Sequence, residues 1–145
     1  MREYKKILAA IDVTDGSEKI LERARDVATR YGAQVILLHV VEYVPVEPMG
    51  EALLPAVQIE GELVERATRR IAEMATRTGL DQAERLVHAG NIKSELVRVA
   101  QDRGVDLIVL GSRERHGLSI MFNQTEDTIL HSAPCDVLAV RWNRK

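Results

Sequence analysis

Aromatic side chains are nearly missing from this chain. One Phe, one Trp and three Tyr make up 3% of 145 residues. That is too few for the stacking platforms on which single-stranded nucleic acid lies. Cysteine is reduced to Cys135, so no internal disulfide can form, and a cytosolic setting is expected. Neither charge dominates. Twenty Lys and Arg face 22 Asp and Glu, for a formal net charge of −2. No overall basic pull toward nucleic acid or an anionic membrane follows. The apolar runs are strand-length, well short of the roughly 20 residues of a membrane span. The opening "MREYKKILAAID" lacks the apolar stretch of a signal peptide, and neither end carries a lipidation motif. The expectation is a cytoplasmic protein with no membrane and no nucleic-acid partner.

What is present is enough for a core. The chain is 46% hydrophobic and 29% charged, a folded rather than disordered composition. Its length suits one domain over residues 1–145. "KKILAAID" reads as a first strand ending at Asp12, and "VTDGS" as the loop into a helix. Ile20, Leu21, Ala24, Val27, Ala28 and Tyr31 recur at helical spacing, with Gly32 at the helix end. "QVILLHVVE" is a continuous apolar run, the mark of a strand buried on both faces. Residues 43–58 hold three of the four prolines and read as a mobile loop bordering the site. Helical spacing resumes over 59–78, closed by Gly79, and again over 92–103, closed by Gly104. "ERLVHAG" and "VDLIVLG" are the third and fourth strands, residues 123–132 a short helix, and "CDVLAVRW" the last strand. Strands alternating with helices in this way predict an α/β domain around a mainly parallel sheet with right-handed crossovers.

In such a sheet ligands bind beyond the carboxyl ends of the strands, where helix N-termini favour anions. Three loops qualify: after Asp12, near Val40, and after Gly111. Asp12 is equally well read as an acceptor for an adenine or ribose or as a cap for its own loop. Gly111 admits close approach of the backbone to a phosphate, or is a plain strand-to-loop turn. Arg113 and Arg115 offer forked donors to phosphate or are solvated surface charges. His39, His88, His116 and His131 lie in different elements without metal-ligand spacing, and His39, inside an apolar strand, reads as a packed and satisfied core histidine. No catalytic Ser–His–Asp or Cys–His grouping stands out. "GSRERHG" is no Walker loop, because no Lys-Ser/Thr pair follows its glycines. Cys135 reads as small and buried.

Four stretches resemble the universal stress protein family: "YKKILAAIDVTDGSEK", "VILLHVVE", "DLIVLGSRERHGL" and "TILHSAPCDVLAVR". Together they span essentially the whole chain. The resemblance implies a three-layer, doubly wound, five-stranded parallel sheet of order 3-2-1-4-5, Rossmann-like and of the adenine nucleotide alpha hydrolase-like kind. It implies a non-catalytic stress-response or signalling module, with a homodimer formed through the C-terminal strand and further protein partners. One branch of the family binds ATP through Gly, two residues, Gly, nine residues, Gly, then Ser or Thr. The other, like universal stress protein A, lacks those glycines and does not hold ATP detectably. Carried onto this chain, the first glycine is Gly111. The second falls on Glu114, and the third on Gln124 by strict count or Asn123 if the loop is one residue shorter. Thr125 supplies the hydroxyl, and Asp12 and Val40 match the adenine side. Glu114 brings a side chain and a negative charge where an anion would sit, at a cost of about 1–4 kcal/mol for charges about 4 Å apart. Asn123, at home in left-handed φ, is a smaller departure. The expected site is therefore Asp12, Val40, Gly111, Arg113, Gln124 and Thr125, holding no cofactor tightly, with ATP as the alternative ligand. No metal is expected.

Overall fold

In the computed structural model, residues 3–12, 16–42, 53–113, 129 and 131–142 are described. Their elements run β1 (Lys6–Ala10), α1 (Ser17–Tyr31), β2 (Gln34–Val41), α2 (Leu53–Arg77), β3 (Glu84–Ala89), α3 (Ile92–Asp102), β4 (Leu107–Arg113) and β5 (Asp136–Trp142). The five strands form one sheet of order β3-β2-β1-β4-β5, and every neighbouring pair is parallel. That is the expected architecture. A β-strand turns alternate side chains to opposite faces, and β1 shows this directly. Ile7, Ala9 and Ile11 join a core with α1 and α2, including Leu21, Ala24, Ile71 and Met74. Leu8 joins a second core with Ile36, Leu38 and Ile108, against Leu96, Val99 and Ala100 of α3. Burying an apolar side chain of this size contributes about 1.5–3 kcal/mol, so a strand loaded on both faces can occur only in the middle of three layers.

α1, α2 and α3 are each followed by a glycine in the left-handed region, Gly32 at φ 65°, Gly79 at 75° and Gly104 at 62°. The Gly32 N–H returns to the Ala28 carbonyl and closes α1.

Two boundaries differ from the sequence-based expectation. The helix expected over 59–78 begins at Leu53, so the last six residues of the proline-rich stretch are helical. Pro55 is the third helical residue, and the first four amides of a helix have no acceptor within it, so a missing N–H costs nothing there. The remaining residues, 43–52, lie outside the described ones. The fourth strand does not stop at Gly111: it pairs with β5 through Ser112–Arg141 and Arg113–Trp142. Of the helix expected over 123–132, Ile129, His131 and Ser132 are described, and they are helical. Cys135, expected to be buried, is half-buried against the α3-side core.

Candidate functional site at the carboxyl edge of the sheet

β1 and β2 end side by side. Asp12 follows the end of β1, half-buried, and its Oδ1 accepts a hydrogen bond from the Ser17 hydroxyl at 2.8 Å. Ser17 is the first residue of α1 and is 1% exposed. The carboxylate is thus engaged by the first side chain of α1. Val40 lies in β2, buried and facing the α3-side core. His39, beside it, is half-buried and bonded through Nδ1 to the Ile11 carbonyl at 2.8 Å, the satisfied histidine that its apolar setting predicted.

The third corner of the edge is β4. Gly111 is buried, in register with Val140, and has a packing reason to be glycine. A Cβ there would lie 2.7 Å from Ile20 Cδ1 and 3.4 Å from Cγ1, so any larger residue would require the end of the Ile20 side chain to shift. Sequence reasoning missed this contact because the partner is in another element. Arg113 is the last residue of β4, its backbone in the ladder opposite Trp142. Asp12, Val40, Gly111 and Arg113 are therefore carried to the carboxyl side by β1, β2 and β4. Gln124 and Thr125 lie outside the described residues, as do Glu114, Arg115, His116 and Asn123.

The edge also carries an interaction the sequence did not announce. Glu42, just past β2, accepts the Ile92 N–H at 2.7 Å, and Asn91 Oδ1 accepts the Ser94 N–H at 3.0 Å. Two of the four open amides of α3 are thereby satisfied by the chain's own acceptors. Removing the carboxylate in Glu42→Ala is expected to cost about 0.5–1 kcal/mol, read as a lower urea midpoint. An unchanged midpoint would show that water caps Ile92 equally well.

One turn along α3, Glu95 packs over Gly90, whose missing Cβ would meet Glu95 Cγ at 3.3 Å. Its carboxylate bonds Arg98 and lies 3.2 Å from His88 Nδ1. The Arg98 guanidinium first, and His88 after it, hold the Glu95 carboxyl below the usual carboxylate range, against the opposing effect of burial. Glu95 is therefore a paired anion. Among the described residues, no three His, Cys, Asp or Glu side chains come together as a metal ion would need, and no described helix is long and apolar enough to cross a membrane.

Sheet order and edge together define a doubly wound α/β protein whose candidate site joins the ends of β1, β2 and β4. A sequence model of the universal stress protein family matches residues 3–141, and the chain belongs to that family. It is 34% identical over 142 residues to universal stress protein A homolog 2 of Coxiella burnetii, covering 97% of each chain. Among solved structures, universal stress protein UspA from Lactobacillus plantarum shares the fold with a TM-score of 0.77 at 23% identity, over 97% of this chain and 100% of that one. A universal stress protein solved in complex with cAMP has a TM-score of 0.64 at 18% identity, over 96% and 98%.

Proposed function

We propose that this protein is a cytoplasmic, dimeric, non-catalytic stress-response module of the universal stress protein A type, with weak or no ATP binding. The observation that carries the reading is Gly111. It is the one glycine of the ATP-binding spacing that this chain retains, and the Ile20 side chain packed against it gives it a role that needs no ligand. The other two glycine positions hold Glu114 and Gln124. Mass spectrometry of small molecules released from freshly purified protein tests this. Stoichiometric ATP would overturn it.

A second reading, an adenine-nucleotide sensor using Asp12, Val40, Gly111, Arg113, Gln124 and Thr125, draws support from the family member solved with cAMP. A monophosphate places less negative charge near Glu114 than ATP does, so the two nucleotides need not behave alike. Calorimetry with AMP and with ATP separates the readings.

The dimer is proposed through β5. Both β3 and β5 are edge strands, but they differ in chemistry. β3 shows Glu84 and Arg85 to solvent side by side, and edge charges discourage pairing with another strand; β5 also exposes Asp136 and Arg141, but only at its two ends. β5 offers Val137 and Leu138 half-buried and Ala139 exposed, ahead of buried Val140 and of Trp142. A second copy pairing antiparallel along β5 would cover that edge. Light scattering at micromolar concentration is expected to return twice the chain mass of 16.2 kDa. A clean monomer would remove the proposal.

A further inference from the structure

The β1–β2 ladder stops one rung early. Its last register pair is Ala10 with Leu38, and the Ile11 N–H still donates to the Leu38 carbonyl at 3.0 Å. In a continuing parallel ladder, the next bond would run from the Val40 N–H to the Ile11 carbonyl. His39 takes that carbonyl instead, with Nδ1 at 2.8 Å. Among the described residues, no backbone donor outside the regular ladders reaches the Ile11 oxygen. A carbonyl oxygen has no hydrogen to give, so the ring is the donor. Its neutral form is the Nδ1–H tautomer, with Nε2 as acceptor. A doubly protonated ring keeps the same donor, so the contact holds in both charge states.

Strand geometry fixes what this leaves open. Along β2, alternate peptides point to opposite neighbours. The Leu38 carbonyl meets Ile11 beside β1, and the Val41 carbonyl meets the Gly90 N–H beyond β3. The Val40 peptide therefore points toward β1, where the ladder has ended and Asp12 begins.

We propose that His39 is a positioning residue: by replacing one rung of the sheet it holds the Ile11–Asp12 peptide against β2 and leaves the Val40 N–H to a flat heterocycle with a ring-nitrogen acceptor, such as a nucleobase. This rests on the reading that Asp12 and Val40 border a nucleotide site. It assigns His39 a role through its neighbours rather than through contact with the ligand. Asparagine is the informative replacement, because its amide can donate from near the Nδ1 position. Leucine keeps the bulk and cannot donate.

The test compares the parent protein, His39→Leu and His39→Asn by amide hydrogen exchange at Val40 and by calorimetry with AMP. In His39→Leu the backbone rung re-forms. Val40 exchange is expected to slow about tenfold, and AMP affinity to fall about tenfold, the scale of one hydrogen bond. His39→Asn should keep both within about threefold. A purely structural role would lower the stability of both variants and leave Val40 exchange relative to its neighbours unmoved, which overturns the proposal. Slowed exchange in His39→Leu with no AMP binding by any of the three proteins would uphold the exchanged rung but overturn its purpose, together with the nucleotide reading. Should His39→Leu fail to fold, nitrogen NMR of the unmodified protein still decides: an Nε2–H tautomer for neutral His39 overturns the proposal.

Discussion

The double variant Glu114→Gly, Gln124→Gly is expected to bind ATP with magnesium about 1–4 kcal/mol more tightly than the parent protein. Spacing from Gly111 puts Glu114 and Gln124 where the ATP-binding branch has glycines. Two unit charges about 4 Å apart repel by about 1 kcal/mol in water and about 4 kcal/mol at an effective dielectric of 20. Removing the carboxylate lifts that cost. Two glycines also restore the positive φ that lets backbone N–H groups close on a phosphate. Asp12, Val40 and Gly111 already stand on the ends of three strands, and Thr125 follows in sequence. Calorimetry should show weak or no binding by the parent and measurable binding by the variant. Low-micromolar binding by the parent would overturn the choice of branch. Silence from both proteins would show that something other than Glu114 closes the pocket, with Arg113, Arg115 and His116 the next side chains to replace.

Gly111→Ala is expected to destabilise the protein by about 1–3 kcal/mol. The added methyl would sit 2.7 Å from Ile20 Cδ1, and Ile20 is only 7% exposed, held in a core with Leu21, Ala24 and Val140. It has little room to turn away. Ile20→Val removes the offending methyl. Alone it should cost about 0.5–1.5 kcal/mol, but placed on Gly111→Ala it should recover stability. Urea unfolding of the four proteins reads the coupling. Additivity within about 0.5 kcal/mol would show that the two residues do not meet and would return Gly111 to the phosphate reading.

The sheet was legible because β1, β2 and β4 are apolar runs of strand length, with helix-period segments between successive strands. "QVILLHVV" and "DLIVLG" declare strands covered on both faces, and such strands imply helices above and below. Boundaries were less legible where composition and position disagree. Proline at residue 55 looked like loop because its penalty is a property of helix interiors, and three residues into α2 the penalty vanishes. Ser112 and Arg113 looked like loop because they are polar, but β5 supplies a ladder partner for each. At the site, the strand-end positions of Asp12 and Gly111 could be read along the chain. Contacts between elements could not: Ile20 beneath Gly111, Glu42 on the α3 amides and the His39 ring on Ile11 all depend on how elements distant in sequence come to lie together.

The strand order also sets a timetable for the newborn chain. β1 sits at the centre of the sheet, yet it emerges first, and the Lys6 N–H meets its acceptor on Asp106 across 100 residues of sequence. β2 reaches β1 early, while β4 can pair only after α2, β3 and α3 have been made. At roughly 5–20 residues per second of synthesis, the free side of β1 waits several seconds for its second neighbour. During that interval Ile7, Leu8 and Ala9, fully buried in the finished fold, lie along an open apolar strand edge. The interval before β4 arrives is when this chain is most exposed to aggregation and most in need of a chaperone.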